Sequence, residues 1–367
     1  MKFSERKKIL SEAVKWDARM VLYLVEDAEG AQFRYRCRNV MEAVDGTEWR
    51  VVWFLKSEVD GIELDGVSLV VIERQTDKDG AVGRFIDRVH EMGVKVVFDL
   101  DDLIFDYRDL PLLMRTTNSK NVFYWAGYFW GIRRVARKVD GFICTNEFLA
   151  GKLKRSFRKP VQVIPNSLNA GQVEVSEKCI VDGGKEHEGF VVGYFSGSPT
   201  HAKDFAMVES ELICFLKEHT DVKLLVVGYM KFSSEMQKMV DDGKVEVHEL
   251  VDYLELQKLM AGVDVNIAPL LVNDFTNCKS ELKFFEAAVV ETMTMASPIY
   301  IFKEAITDGE NGLLVSDDEW YEKLEYLYEY PKENRKMAVA AKKYALKHYY
   351  GKEFLKKVEE AYEYFAK

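Results

Sequence analysis

The sequence predicts an α/β protein built from two tandem, doubly wound parallel sheets. Two observations carry this. Short apolar, β-branched runs alternate with longer helical patterns, and strands that are apolar on both faces need helices on both sides. The alternation breaks once, near mid-chain, and then restarts. At 367 residues the chain has room for two domains of about 150 residues each.

The first series of runs is MVLYLV (20–25), RVVWFL (50–55), VSLVVI (67–72), VKVVFDL (94–100), GFICT (141–145) and VQVIP (161–165). Helical patterns such as GAVGRFIDRVHEMG (80–93) fill the gaps, and the first 20 residues read as an extra amphipathic helix. Polar, Gly-rich residues follow over 166–189. The second series is FVVGYFS (190–196), VKLLVVG (222–228), VEVHEL (245–250), VDVNIAP (263–269), SPIYIF (297–302) and GLLV (312–315), closing on two helices. The expected organisation is a first domain over 1–170, a linker over 171–189 and a second domain over 190–367. Such sheets bind ligands outside the carboxyl ends of their strands, so a cleft is expected there.

Composition narrows the function. With 48% apolar and 31% charged residues and only 7 Pro, the chain is neither disordered nor low-complexity. A net charge of −10 argues against wholesale nucleic-acid binding. The charge is uneven: residues 1–170 hold 28 Lys and Arg against 25 acids, and residues 171–367 hold 23 against 36. Two units with different partners are expected. The five cysteines show no CxxC spacing, which fits a reducing compartment. The opening MKFSERKKILSEAVKWDARM lacks the apolar stretch of a secretory signal. No run approaches the roughly 18 apolar residues of a membrane span. A cytoplasmic location is expected, with peripheral attachment to the inner face of the cell membrane left open.

Candidate chemistry sits at strand ends. After the first strand, EDAEGAQFRYRCRN has no GxGxxG but places Arg34, Tyr35 and Arg36 at a helix start. Arginines there suit an anionic or polyhydroxyl ligand, or form a solvated basic face. After the fourth, FDLDDLIFD gathers Asp99, Asp101 and Asp102. These suit sugar hydroxyls or base chemistry, or cap the next turn. No second carboxylate cluster accompanies them, so a metal site is not expected. In the second series, GYFSGSPTHAKDF offers the amides of Gly197 and Ser198, with His201 and Lys203 as further donors. An ordinary capped turn fits the same residues. Finally, NCKSELKFFEAA sets Lys279 and Ser280 at a helix start with Glu286 two turns on, a pattern that suits a phosphate and a ribose diol. A surface helix with a Lys283–Glu286 pair is the other reading. GxSxG and HExxH are absent, and of six histidines only His201 falls at an expected cleft.

Four stretches in order, VVFDLDDLIF (96–105), VGYFSGSPTHAKDF (192–205), NIAPLLVNDFTNCKSELKFFEAA (266–288) and KEAITDGENGLLV (303–315), resemble the family-4 retaining glycosyltransferases of the GT-B fold, the bacterial group 1 type. The resemblance implies two Rossmann-like domains facing a cleft, the last helix able to cross back to the first domain. It implies a nucleotide-diphosphate sugar donor on the second domain and a glycan, lipid-linked or other acceptor on the first, in bacterial surface polysaccharide or glycoconjugate synthesis. It also implies retention of configuration with no metal or other cofactor.

By position, Glu286 matches the residue holding the donor ribose and Lys203 the one facing the diphosphate. Lys279 and Ser280 match the helix start near the phosphates, and Gly197, Ser198 and His201 complete the donor side. Arg34, Tyr35 and Arg36 resemble an acceptor-side stretch, and Asp101 and Asp102 an acidic pair facing the cleft. Catalysis is thereby assigned to Asp101, Asp102, Lys203 and Lys279. Three positions depart from the family. Cys278 replaces the first Glu of E-x7-E, Ser198 replaces a basic residue, and VVETMTMASP (289–298) replaces a Gly-x-Pro turn. They motivate an alternative, a non-catalytic GT-B subunit that binds a partner transferase.

The segment NVFYWAGYFWGIRRVARK (121–138) sets six aromatics before four bases. It reads as a core helix. A membrane-interface contact over 121–159, where nine bases cluster from Arg133 to Lys159, is the open alternative.

Overall fold

The computed structural model describes residues 1–13, 18–117, 119–181, 187–197 and 202–367. They form two compact units. The first holds Met1–Ser167, Cys278–Ser280 and Tyr349–Lys367; the second holds Leu168–Asn277 and Glu281–His348.

In the first unit the strands are β1 (Arg19–Val25), β2 (Trp49–Leu55), β3 (Val67–Glu73), β4 (Lys95–Asp99), β5 (Gly141–Cys144) and β6 (Val161–Val163). They pair in parallel in the order β2-β1-β3-β4-β5-β6. Six of the seven residues of β1 are buried, as a strand covered on both faces requires. The helix Ala81–Glu91 starts after Gly80 and stops at Gly93, both at positive φ, where glycine is the residue least strained. The N-terminal helix Phe3–Ala13 is held on β2 by Arg6. Its guanidinium pairs with Glu58 at 2.6 Å and lies 4.0 Å above the Trp53 ring.

The last helix, Lys352–Phe365, completes this core. Phe354, Val358, Tyr362 and Phe365 pack with Val21, Tyr23 and Trp49, and the Tyr23 and Tyr362 hydroxyls share a 2.9 Å hydrogen bond. Gly141 leaves room for this helix, since a Cβ there would collide with the Phe365 ring.

The second unit has β7 (Phe190–Ser196), β8 (Val222–Gly228), β9 (Val245–His248), β10 (Val265–Ala268), β11 (Met293–Ala296) and β12 (Leu313–Leu314). These also pair in parallel, in the order β12-β11-β10-β7-β8-β9.

Three segments differ from the sequence pattern. Most of the expected linker is the helix Ala170–Val181. Its inward residues are polar: Gln172 and Ser176 are buried, and Ser176 donates to Gln257 on the helix Tyr253–Ala261 at 3.1 Å. A helix that buries amide and hydroxyl groups shows no apolar period. The second half of the predicted strand SPIYIF lies in the helix Tyr300–Ala305, and the strand is MTMA (293–296). A short apolar run does not distinguish a buried helix from a buried strand. Tertiary position decides it, because β11 is fully buried between β10 and β12. The chain enters β11 through Glu291 at φ 56°, the backbone region a glycine would take more easily.

If the last helix is part of the first unit's core, Phe354→Ala should destabilise that unit by about 3–5 kcal/mol. Urea unfolding of the full chain measures this; a loss below about 1 kcal/mol would mean the helix contributes little there.

Candidate functional site

In the first unit the loops after β1, β3 and β4 share one charged cluster. Gln32, after β1, donates to Asp101 at 3.3 Å. Arg74, directly after β3, reaches Asp101 and Asp102, each at 3.2 Å. Its backbone stands at φ 41°, an uncommon conformation for a non-glycine residue that turns the chain at the strand end. Lys279 meets Asp102 at 2.6 Å. The segment around Lys279 is fixed in this unit, because Asn146 donates to its carbonyl at 2.9 Å and Asn166 donates to the Ser280 hydroxyl at 3.1 Å. Burial works against the Asp102 carboxylate, but Lys279 and then Arg74 hold its pKa below the ordinary value.

Behind this cluster lies a buried ion pair. Arg36 is 1% exposed. It donates to both carboxylate oxygens of Asp99 at 2.9–3.1 Å, to the Ile164 carbonyl at 2.7 Å and to Asn166 at 3.1 Å. Its expected role on the acceptor side is therefore corrected: the guanidinium is spent inside the unit. Tyr35 is buried as well, its hydroxyl accepting from Arg34 at 2.8 Å while the Arg34 guanidinium stacks on its ring. Arg34 alone of the three is only half-buried. Residues Arg34–Arg38 form a π-helical turn, a local widening common at functional sites.

Two acids here titrate high. Burial raises the pKa of Glu73 to about 8, with Asp101 and Asp99 adding to the effect. Burial also raises Asp99, to about 6, against the pull of Arg36. Sequence reading missed Glu73 and Arg74. The signal available was a Glu-Arg pair directly at the end of an apolar strand.

In the second unit the loop after β7 begins at Gly197, which is exposed, and a Cβ added there would meet nothing within 4 Å. Ser198 and His201 lie outside the described residues. Lys203 is exposed on the short helix Ala202–Ala206. Its neighbour Asp204 is buried and accepts from the Leu271 amide at 3.1 Å, which ties the loop after β7 to the loop after β10. The helix Leu282–Val289 carries Glu286, 7% exposed, which accepts from Gln172 at 3.3 Å. Lys279 and Ser280 precede that helix and belong to the first unit, so the expectation that Lys279 and Glu286 share one helix face is corrected. The intervening residues, beginning with the Cys278–Ser280 stretch, break the helical spacing.

Lys283 does not form the surface pair with Glu286 that is the alternative reading. It is half-buried, its ammonium donates to the Phe195 carbonyl near the end of β7, and it stands 4.9 Å from the Tyr194 ring centroid. Burial lowers its pKa to about 8, while Asp204 and Glu286 pull the other way. A cavity of about 300 Å³ bounded by Phe190, Asp264 and Asn334 lies at the opposite, amino end of β7 and is separate from these groups.

The helix Val122–Lys138 is neither wholly core nor wholly surface. Phe129, Ile132 and Val135 are buried, whereas Phe123 and Tyr124 are exposed. Three of its four bases serve the unit itself: Arg133 donates to the Phe105 carbonyl, Arg134 faces Asp77 and Lys138 pairs with Asp87. Among the described residues no helix is long and apolar enough to cross a membrane, and no three His, Cys, Asp or Glu side chains gather as a metal site.

Residues 190–330 match the family described as glycosyl transferases group 1. No characterised protein matches the sequence. Solved structures do match the fold. HepE of Anabaena, solved in complex with UDP and glucose, aligns with TM-score 0.61 at 14% identity, over 94% of this chain and 99% of that one. A glycosyltransferase from Rickettsia africae aligns with TM-score 0.65 at 14% identity, over 96% and 99%. Sucrose-phosphate synthase of Thermosynechococcus elongatus aligns with TM-score 0.65 at 12% identity, over 94% and 98%. At such identities the likeness is one of fold: two parallel six-stranded sheets with interleaved helices, as in GT-B glycosyltransferases.

Two outcomes follow from the first unit's charges. Arg36→Met leaves Asp99 buried without its partner and should cost about 3–5 kcal/mol, read by urea unfolding; an unchanged midpoint would show the pair to be dispensable. Glu73 binds its proton more tightly folded than unfolded, so its contribution is present at low pH and fades as pH rises from the unfolded carboxyl range through about 8. Glu73→Gln should therefore raise the melting temperature more at pH 9 than at pH 6, and an equal shift at both would refute the assignment.

Proposed function

We propose that this protein is a glycosyltransferase that takes its sugar from a nucleotide-diphosphate donor. The observation that carries the reading is where the group 1 match falls. Residues 190–330 contain Gly197, Lys203 and Asp204 after β7 and Glu286 on the helix Leu282–Val289, all in one unit. Ligands of doubly wound sheets bind at such carboxyl ends. HepE, with the same fold, holds UDP and glucose, which supports a nucleotide-sugar donor.

In this reading the ribose diol faces Glu286 and the diphosphate faces the Gly197 amide and Lys203. Breaking the sugar–phosphate bond develops charge on the leaving diphosphate, and fixed positive groups aimed at it supply the largest catalytic term. The proposal includes retention of configuration, with the leaving phosphate taking the acceptor's proton, and no required metal. Asp101 and Asp102 belong to the acceptor side. Arg74 and Lys279 neutralise them, so they hold a polyhydroxyl acceptor as hydrogen-bond acceptors. A glycan or lipid-linked glycan acceptor, a role in surface polysaccharide synthesis and a cytoplasmic location complete the reading.

A second reading, a non-catalytic subunit that binds a partner transferase, is favoured by Cys278. It occupies the first position of E-x7-E and is fully buried. Turnover separates the two. With a panel of nucleotide sugars, release of the nucleoside diphosphate in the presence of glycan acceptors supports transfer, and binding without release supports the subunit. For the enzyme, Lys203→Ala should lower kcat by about 10²–10³-fold, and near wild-type turnover would remove Lys203 from the diphosphate. A Cβ at Gly197 meets nothing within 4 Å, so Gly197→Ala should melt as the wild type does and yet bind donor more weakly; unchanged donor affinity would take the Gly197 backbone out of the site.

A further inference from the structure

Lys283 is a cation at the carboxyl end of β7, and sequence spacing leaves a surface pair with Glu286 as one reading of it. Its ammonium has three N–H donors, and one is committed to the Phe195 carbonyl. The Tyr194 ring lies beneath it at 4.9 Å. The charged groups facing it are Asp204, from the helix after β7, and Glu286, one turn along its own helix. Both carboxylates have other bonds, Asp204 to the Leu271 amide and Glu286 to Gln172. The helix bearing Lys283 is itself fixed, because Asn266 on β10 donates to the Lys283 carbonyl at 2.8 Å and to Thr294 on β11 at 3.0 Å. The ammonium is thus held in place and partly stripped of water near the end of β7.

We infer that Lys283 binds the diphosphate of the nucleotide donor in the second unit. This rests on the glycosyltransferase reading and adds to it a specific phosphate ligand. A half-buried ammonium beside a backbone carbonyl gains most from an anion, because the anion replaces the solvation it has lost. Lys203, on a five-residue helix and exposed, offers a weaker, screened charge. The assignment also gives donor binding a pH dependence. The free ammonium titrates at about 8, and a bound diphosphate keeps it protonated. Above that pH the complex must therefore take up a proton.

The test is calorimetric titration of the full chain with the diphosphates of uridine, adenosine, guanosine, cytidine and thymidine, each against its parent nucleoside. For the diphosphate that binds, Lys283→Met should weaken binding at pH 7 by about tenfold or more, equal to about 1.4 kcal/mol, and leave the nucleoside unchanged. Lys283→Arg should keep the affinity. Between pH 7 and 8.8 the wild type should lose about fivefold in diphosphate affinity, since phosphate itself is ionised above about 6, and Lys283→Arg should lose none. If Lys283→Met does not fold, the pH comparison of wild type and Lys283→Arg decides alone. Equal diphosphate affinity in wild type and Lys283→Met overturns the assignment, as does a pH profile shared by wild type and Lys283→Arg. A loss in Lys203→Ala with none in Lys283→Met returns the role to Lys203. If the wild type takes none of the five diphosphates, the donor reading itself fails, and this assignment falls with it.

Discussion

The buried pair of Arg36 and Asp99 is the constraint on which the first unit's strand ends depend. A guanidinium and a carboxylate taken out of water need every hydrogen bond they can make. Arg36 finds them on β4, on the chain leaving β6 and on Asn166. One side chain from the loop after β1 thus ties together three distant segments. The acidic cluster of Asp101 and Asp102 sits on the same short run of chain as Asp99, so its position inherits this rigidity.

Charge in that cluster is arranged in layers. The inner acids, Glu73 and Asp99, are pushed toward their neutral forms by burial. The outer one, Asp102, is kept ionised by Lys279 and Arg74. Acids at adjacent strand ends cannot all be charged at close range without partners, and the cations are placed where solvent begins. The result is a surface of oriented hydrogen-bonding groups with little net charge, which suits a neutral polyhydroxyl ligand better than an anion.

The second unit solves a different problem. Among the described residues its strand ends carry Asp204, Glu286 and Lys283, each with a partner: Asp204 a backbone amide, Glu286 Gln172, and Lys283 a carbonyl. Positive charge near an exposed glycine loop is the arrangement an anionic ligand needs. The two units therefore share one parallel topology and differ in what their strand ends favour; the second unit's local cations act within a half of the chain that is acidic as a whole.

The sequence by itself determined the topology class and most strands, because near-continuous apolar, β-branched runs such as MVLYLV and VKLLVVG alternate with longer helical patterns. It also located the strand ends after which Asp101 and Gly197 stand, since those follow from where each run stops. Tertiary structure decided the rest. It made a helix of Ala170–Val181, whose buried face is polar, and exchanged helix for strand around MTMA and SPIYIF. It turned Arg36 inward, placed Lys279 on Asp102 and set Lys283 at the end of β7. A long charged side chain can point to solvent, into a core or across to another loop, and local spacing is the same in each case. Only the partners that folding brings near decide among them.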